Sequence, residues 1–522
     1  MPELLTGTQM QALERAAMAR GEARGTALME TAGKQVVESI YSTFPDSSAK
    51  PDRSALILCG PGNNGGDGFV IARLLATRGW QVRVVLAGER AQLAGDAAGN
   101  CQLWGELGDI LPPDPEAVER ALPRPDLVVD ALFGTGLKRP LSTALRALLS
   151  HALDIAHHSV SVDILSGICA DSGRWLGSLP PLGPVDLTVT FHRPRTGHML
   201  SDGGTATGRL VVAPIGLPQA APVPPGAGPV VGLVTAPAGL GDKAAAGHKY
   251  SHGHALILSG GPGRSGAARL SARAALRVGA GLVTLAAPSA AHPEIAAQIT
   301  ALMLRRLDSP EELDRLLADP RYGALCLGPG MGPDARTRLL LRHALAHGRA
   351  QVLDADALGC WSDAPEDFFA LTRGTETVLT PHGGEFARLF PDLAARLRAP
   401  ATTGPAWSRL DAVAEAATRS GCCVLLKGAD TVIAAPDGRR AVHAALRERR
   451  APWLATAGSG DVLAGLICGL LARGLACYEA ACAAAWLHVE AARAFGPGLI
   501  AEDLPETLPR VLAGLSAATP GA

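Results

Sequence analysis

Acidic residues recur in this chain just after short apolar runs and inside glycine-rich turns, a placement that suits proton transfer beside a bound anion. The most pointed case is Thr456-Ala-Gly-Ser-Gly-Asp-Val-Leu-Ala-Gly465. Small residues give way there to helical spacing at Val462, Leu463, Leu466 and Ile467. The first turn of a helix leaves backbone N–H groups unpaired, and the helix dipole makes that end slightly positive. Gly458 and Gly460 would let an anion approach the backbone closely. Asp461 would repel a phosphate that was merely cradled. It suits taking a proton from a hydroxyl that then attacks a phosphoryl group. A capped helix explains the same residues without chemistry, because Asp also favours the first turn.

Other loops carry related chemistry. Gly60-Pro-Gly-Asn-Asn-Gly-Gly-Asp-Gly68 follows the apolar run Ser54–Cys59, and residues 60–65 and 261–266 both spell G-x-G-x-x-G between a strand and a helix. That is the context of a dinucleotide fingerprint, but tight strand-to-helix turns reuse glycine, so the signal is weak. Asp67 would set a negative charge against a pyrophosphate, which disfavours an ordinary dehydrogenase. Asn63, Asn64 and Asp67 instead offer oxygens and donors to a polar ligand or a cation. Asp130 and Asp163 each end a strand-like run and precede a glycine turn, Phe133-Gly-Thr-Gly136 and Ser166-Gly167. In the second half, Gly328-Pro-Gly330, Asp354-Ala-Asp356, Thr380-Pro-His-Gly-Gly-Glu385 and Lys427-Gly-Ala-Asp-Thr431 follow successive apolar runs, and His248-Lys249 precede the first of them. Each alone reads as a turn or cap. Together they read as ligand crevices beyond the carboxyl ends of parallel strands.

The elements needed to hold these loops are legible. Residues 8–41 have helical spacing, interrupted near Gly21 and Gly25. Strands are expected at Ser54–Cys59, Gln81–Ala87, Leu127–Ala131, Ser159–Leu165, Leu187–Phe191 and Gly208–Val212, with a helix at Phe69–Arg78. After residues 218–232, rich in Pro, Gly and Ala, the pattern repeats: strands at His254–Leu258, Leu282–Ala286, Gly323–Leu327, Gln351–Asp354, Thr377–Leu379 and Cys422–Leu426, and a helix at Ala267–Arg277. Alternating strand and helix predicts α/β domains with largely parallel sheets. The expected division is 1–217, a linker at 218–232, and 233–522.

Composition bounds the rest. A length of 522 residues exceeds one ordinary core. Hydrophobic content of 47%, charged content of 19% and a net charge of −1 describe a soluble globular protein with no pull toward nucleic acid or an anionic membrane. Met1-Pro-Glu-Leu-Leu-Thr-Gly7 has no basic run followed by an apolar core, so no secretory signal is expected, and the apolar stretch at 462–472 is too short to span a bilayer. The ten cysteines are scattered without metal-ligand spacing. The expected setting is a reducing cytoplasm.

These motifs carry a resemblance. Asn63–Gly68, Asp130–Gly136 and Asp163–Gly167 resemble the epimerase for hydrated NAD(P)H, a Rossmann-like three-layer α/β/α fold. The loops from His248 to Asp461 resemble the nucleotide-dependent NAD(P)H-hydrate dehydratase, a ribokinase-like α/β fold. Both halves, in this order, resemble the bifunctional NAD(P)H-hydrate repair enzymes. One departure is Leu165, where that family usually has proline.

The resemblance implies a division of labour. NADH and NADPH hydrated on the nicotinamide ring form R and S epimers. The dehydratase phosphorylates the S hydroxyl with ADP or ATP and loses phosphate to restore the ring, while the epimerase interconverts R and S. By family match, Asn63, Asn64, Gly65, Gly66, Asp67, Gly134, Thr135, Gly136, Leu137, Lys138, Arg139, Pro140 and Asp163 would hold the hydrated cofactor, with Asp163 the acid–base group. Asn64, Asp130 and Ser166 would bind K+. Ala267, Gly330, His382 and Asp461 would hold the dehydratase substrate, with Asp461 the base. Lys427, Gly428, Ala429, Asp430, Thr431 and Gly460 would hold the adenine nucleotide, accompanied by Mg2+. A homo-oligomer is implied as well. A rival reading is a ribokinase-like small-molecule kinase whose front domain binds or regulates.

Overall fold

In the computed structural model, which describes residues 1–240, 243 and 247–517, the chain forms two compact units. One comprises Glu3–Val231 together with Ala399–Ser408; the other comprises Met1–Pro2, Gly232–Arg398 and Arg409–Ala522.

A short strand β1 (Glu3–Leu4) precedes the helices Gly7–Ala19 and Gly25–Thr43, which break at the two glycines the sequence marks. The first unit is then built on β2 (Ser54–Cys59), β3 (Gln81–Leu86), β4 (Ile110–Leu111), β5 (Leu127–Ala131), β6 (His158–Val162), β7 (Leu187–Phe191) and β8 (Arg209–Ala213). They form one sheet in the order β4-β3-β2-β5-β6-β7-β8, with each neighbouring pair parallel. Strand side chains alternate between faces. Ala55, Ile57 and Cys59 therefore enter one core with the helices 7–19, 25–43 and 63–77, while Leu56 and Leu58 enter a second core with Leu148 and Leu149. Burial of both faces explains why these strands read as continuous apolar runs. The order reverses between β2 and β5, which opens a crevice at their carboxyl ends.

The helix after β2 begins at Asn63, six residues before the expected start, and ends at Thr77. The glycine run is thus the opening of that helix rather than a loop. A Cβ on Gly65 would lie 1.8 Å from the Gly60 carbonyl oxygen, and one on Gly68 would lie 2.7 Å from Cys59 Sγ. The glycines let the helix begin in contact with the strand end. β6 likewise stops at Val162, short of the expected Leu165, because Asp163 turns to φ 65°.

The second unit contains β9 (Val231–Leu233), β10 (His254–Leu258), β11 (Leu282–Ala287), β12 (Met303–Arg306), β13 (Tyr322–Leu327), β14 (Ala350–Leu353), β15 (Thr377–Leu379), β16 (Cys423–Leu426), β17 (Asp430–Ala434) and β18 (Arg440–Ala444). They lie in one mixed sheet in the order β9-β18-β17-β16-β15-β14-β13-β10-β11-β12. β10 to β16 pair in parallel, and β16-β17-β18 form an antiparallel meander. That meander is a correction to the sequence reading, because Asp430 and Thr431 belong to β17 and not to a loop.

Helix Ser459–Ala472 packs across helix Gly266–Arg277 at very short range. A Cβ on Gly465 would lie 2.1 Å from the Ser271 carbonyl oxygen, and one on Gly469 would lie 2.7 Å from that of Ala275. Gly465→Ala is expected to wedge these helices apart and to cost about 1–3 kcal/mol, as overpacking typically does. Equilibrium denaturation checks this; an unchanged midpoint would contradict it.

Candidate active sites

In the first unit the loops after β2, β5, β6 and β7 surround a cavity of about 580 Å³, lined by Asn63, Asn64, Asp67, Gly134–Leu137, Asp163, Glu14 and Arg195 among others. Lys138, Arg139 and Pro140 continue the β5 loop into solvent. Gly65 and Gly66 are buried in the helix beneath.

Asp163 is the most constrained group. A non-glycine residue at positive φ is strained by about 1–3 kcal/mol. The surroundings hold it there. Its N–H donates to Val189 O at 2.8 Å, and its own carbonyl accepts from His198 Nε2 at 2.7 Å. His198 Nδ1 accepts from Arg195 N at 3.0 Å, which leaves the proton on Nε2. The Asp163 carboxylate accepts from Thr190 Oγ1 at 2.8 Å and Thr135 N at 3.2 Å, and the buried Arg195 guanidinium lies 3.4 Å away. Burial raises Asp67 well above the carboxylate range, and the charges of Asp163 and Glu14 add to this. Burial also raises Glu14, against the pull of Arg195.

Asp130, the penultimate residue of β5, is fully buried. It accepts from Ser166 N and Ser166 Oγ, both at 2.7 Å, and from Leu132 N at 3.1 Å. Burial lifts it to about 6 against those bonds. Among the described residues no cationic side chain pairs with it. Ser166 Oγ also lies 3.2 Å from Phe133 O, and Asn64 Oδ1 faces Gly134. The Asp130 carboxylate, the Ser166 hydroxyl and the Phe133 carbonyl oxygen therefore lie together. That donor set fits a hard cation. Leu165 sits buried in the adjoining core.

In the second unit the turn before helix Ser459–Ala472 is set by Gly458 at φ 88°. A Cβ there would also lie 2.8 Å from Leu270 Cδ1. Lys427 Nζ and Asp354 Oδ2 face Gly460, at 3.5 Å and 4.0 Å from where a Cβ would stand. Lys427 Nζ donates to Asp354 Oδ1 at 2.7 Å and lies 3.9 Å from Glu385. Burial works against the Lys427 charge, but Asp354 and Glu385 outweigh it and hold the ammonium above its ordinary range. Asp461 is raised to about 6, first by burial, then by Asp354, Asp356 and Glu385, with Lys427 opposing. Ser271 Oγ donates to Asp461 O at 2.8 Å, so the glycine-mediated helix crossing positions this residue directly.

Gly330 and Ala267 are brought together: a Cβ on Gly330 would touch that of Ala267 at 3.5 Å. Gly428 N donates to Thr431 Oγ1 at 3.3 Å, and Arg409 donates to Lys427 O at 3.3 Å, which shapes the loop ahead of Ala429 and Asp430. His382 caps helix Gly383–Leu389 through Nδ1, which accepts from Gly384 N at 2.9 Å, and its ring remains exposed. His248 forms an exposed turn with Ser251. Sequence reasoning missed Arg195, His198, Glu14 and Arg409. The one legible signal was the basic run 192–195 at the end of a strand.

Comparison with known proteins bears on both halves. Residues 25–197 match the family described as YjeF-related protein N-terminus, and residues 255–510 match the family described as NAD(P)H-hydrate dehydratase. The bifunctional NAD(P)H-hydrate repair enzyme Nnr of Moorella thermoacetica is 38% identical, over 98% of this chain and 97% of its own. The chain belongs to the bifunctional NAD(P)H-hydrate repair enzymes. Another member of that repair family, from Salinibacter ruber, is 34% identical over 98% of this chain and 96% of its own. Among solved structures, the ADP/ATP-dependent NAD(P)H-hydrate dehydratase of Bacillus subtilis, co-crystallised with ATP and Mg2+, is 27% identical; the match covers 52% of this chain and 94% of that one, with a TM-score of 0.44. In this repair enzyme no helix among the described residues is long and apolar enough to cross a membrane, and all ten cysteines are free.

Burial makes Asp130 a weaker acid than a free carboxyl, and that couples its protonation to stability. A carboxyl whose folded pKa exceeds its unfolded value stabilises the fold below the unfolded value, near 3.8, and loses that contribution as pH rises through about 6. In potassium-free buffer, Asp130→Asn is expected to flatten the loss of thermal stability between about pH 4 and pH 6, measured by calorimetry. An unchanged pH slope would contradict the burial argument.

Proposed function

We propose that the first-unit cavity holds hydrated NADH or NADPH for epimerisation, and that the Asp461 cluster carries out its nucleotide-dependent dehydration. The chain is a bifunctional enzyme, an epimerase joined to an ADP/ATP-dependent dehydratase, that repairs hydrated NADH and NADPH. The observation that carries the dehydratase reading is Lys427 set over Gly460, with Asp461 one residue further along the same helix start. An ammonium and free N–H groups stabilise transferring phosphoryl charge, while a carboxylate raised to about 6 accepts a proton near neutrality.

The steps follow. Asp461 takes the proton from the ring hydroxyl of the S epimer. The hydroxyl oxygen attacks the terminal phosphorus, and the bond to the nucleotide breaks. Phosphate then leaves the ring carbon as the neighbouring carbon gives its proton to solvent, and the C–H electron pair restores the double bond. Lys427–Thr431 and Gly460 position the nucleotide, and Ala267, Gly330 and His382 border the hydrated ring. Mg2+ arriving with the nucleotide would neutralise phosphoryl charge when bound.

In the first unit, Asn63–Asp67 and Gly134–Pro140 would grip the hydrated cofactor, and Asp163, held by Thr190, Thr135 and Arg195, would exchange protons with it. Asn64, Asp130 and Ser166 would hold K+, whose charge would offset that of Asp130. We place the protein in the cytoplasm and expect copies of it to associate.

Three outcomes test this. Asp461→Asn should lower dehydratase kcat by about 10² to 10⁴ without weakening nucleotide binding. Asn caps a helix about as well as Asp, so near-normal turnover would refute the base. Because the base acts deprotonated, turnover should fall as pH drops through about 6. Asp354→Asn removes a neighbouring negative charge and should move that limb to lower pH; a limb that stays put would contradict the cluster argument. Asp130→Ala should abolish the potassium dependence of epimerisation, and an unchanged response would remove Asp130 from the cation site.

A further inference from the structure

The ten residues Ala399–Ser408 come from the C-terminal half of the chain but pack within the first unit. Gly177 N donates to Ala401 O at 2.7 Å, Gly404 N donates to Lys138 O at 3.0 Å, and Ala406 N donates to Cys169 Sγ at 3.4 Å. Arg174 spans the segment, donating to Trp407 O at 3.1 Å and to Ala399 O. Ala401 and Ala406 close a small apolar cluster with Cys169 and Leu176, against which Leu137 packs. The contact with the β5 loop leaves no slack, because a Cβ on Gly404 would lie 2.7 Å from Leu137 O and 3.3 Å from Lys138 Cα.

We infer that Ala399–Ser408 is a positioning element of the epimerase, fixing the Leu137–Pro140 half of the loop that receives the hydrated cofactor. This rests on the reading that Gly134–Pro140 touch that cofactor. The two halves of the loop are held differently. Thr135 is tied to Asp163 within the cavity, whereas Leu137 and Lys138 meet the inserted segment through Gly404. Lys138, Arg139 and Pro140 are otherwise exposed. A loop left to sample several positions must be ordered on binding, and that cost weakens binding of the substrate. The segment removes the cost in advance, so its loss falls on KM rather than on proton transfer.

The test uses the full-length protein with the R epimer of hydrated NADH. Gly404→Val drives a side chain into the Leu137 carbonyl and is expected to raise epimerase KM about tenfold, with kcat little changed. Dehydratase activity on the S epimer in the same sample reports the fold of the second unit, and an epimerase kcat little changed reports that of the first. Arg174→Ala leaves the packing in place and deletes the bonds to Trp407 O and Ala399 O; it should also raise KM, and Arg174→Lys, able to reach one carbonyl, should recover part of the loss. Hydrogen exchange across 134–140 in the unaltered protein, with and without hydrated NADH, tests the underlying reading. Protection of the loop with raised KM in both Gly404→Val and Arg174→Ala supports the inference. Protection with KM unmoved in those variants overturns the positioning role and leaves the loop reading standing. No protection overturns the loop reading, and the inference with it.

Discussion

Both sites depend on backbone lying against backbone where no side chain intervenes. In the first unit the helix Asn63–Thr77 starts against the end of β2, because Gly65 meets the Gly60 carbonyl with no room for a methyl group. In the second unit Gly465 and Gly469 let helix Ser459–Ala472 sink onto helix Gly266–Arg277, and Gly458 supplies the left-handed turn that exposes the N-terminal amides. A helix start set at the carboxyl ends of interior strands brings a positive dipole end and free N–H groups to the crevice where parallel strands finish. The candidate site residues of each unit gather at those two starts.

The close packing also excludes water, which sets the electrostatics. Asp130 and Asp461 are both lifted to about 6 chiefly by burial, yet their neighbours differ. Asp130 accepts from the Ser166 hydroxyl and from the Ser166 and Leu132 amides, and no cationic side chain among the described residues pairs with it. Asp461 sits among Asp354, Asp356 and Glu385 with Lys427 opposing, an arrangement that keeps a proton acceptor near neutrality. Asp163 differs again, since hydrogen bonds and Arg195 hold it in a strained backbone conformation facing the cavity.

Much of this was legible in the sequence. Apolar runs marked the principal strands, because strands buried on both faces carry no polar alternation. Acids and glycines after those runs marked the crevice loops. The failures have physical causes. Residues 63–68 read as a loop because glycine is a poor helix former, whereas close packing required it inside a helix. Asp430 and Thr431 read as loop because their short antiparallel strand follows a glycine turn. Arg195 and Glu14 reach the first cavity from elements distant in sequence, and no local pattern announces such a contact. The segment Ala399–Ser408 was invisible for the same reason, as its partners are more than 200 residues away.

The central claim is that two crevices on one chain divide the work on two epimers. Its most direct measurement supplies an equilibrated mixture of R and S hydrated NADH with ADP or ATP, under conditions that suppress spontaneous epimerisation, and follows recovery of reduced-nicotinamide absorbance to completion. The account predicts full recovery with the unaltered protein and recovery of only the S fraction with Asp163→Asn. Full recovery by Asp163→Asn, or a phosphorylated product that accumulates without recovery of the ring, would contradict it.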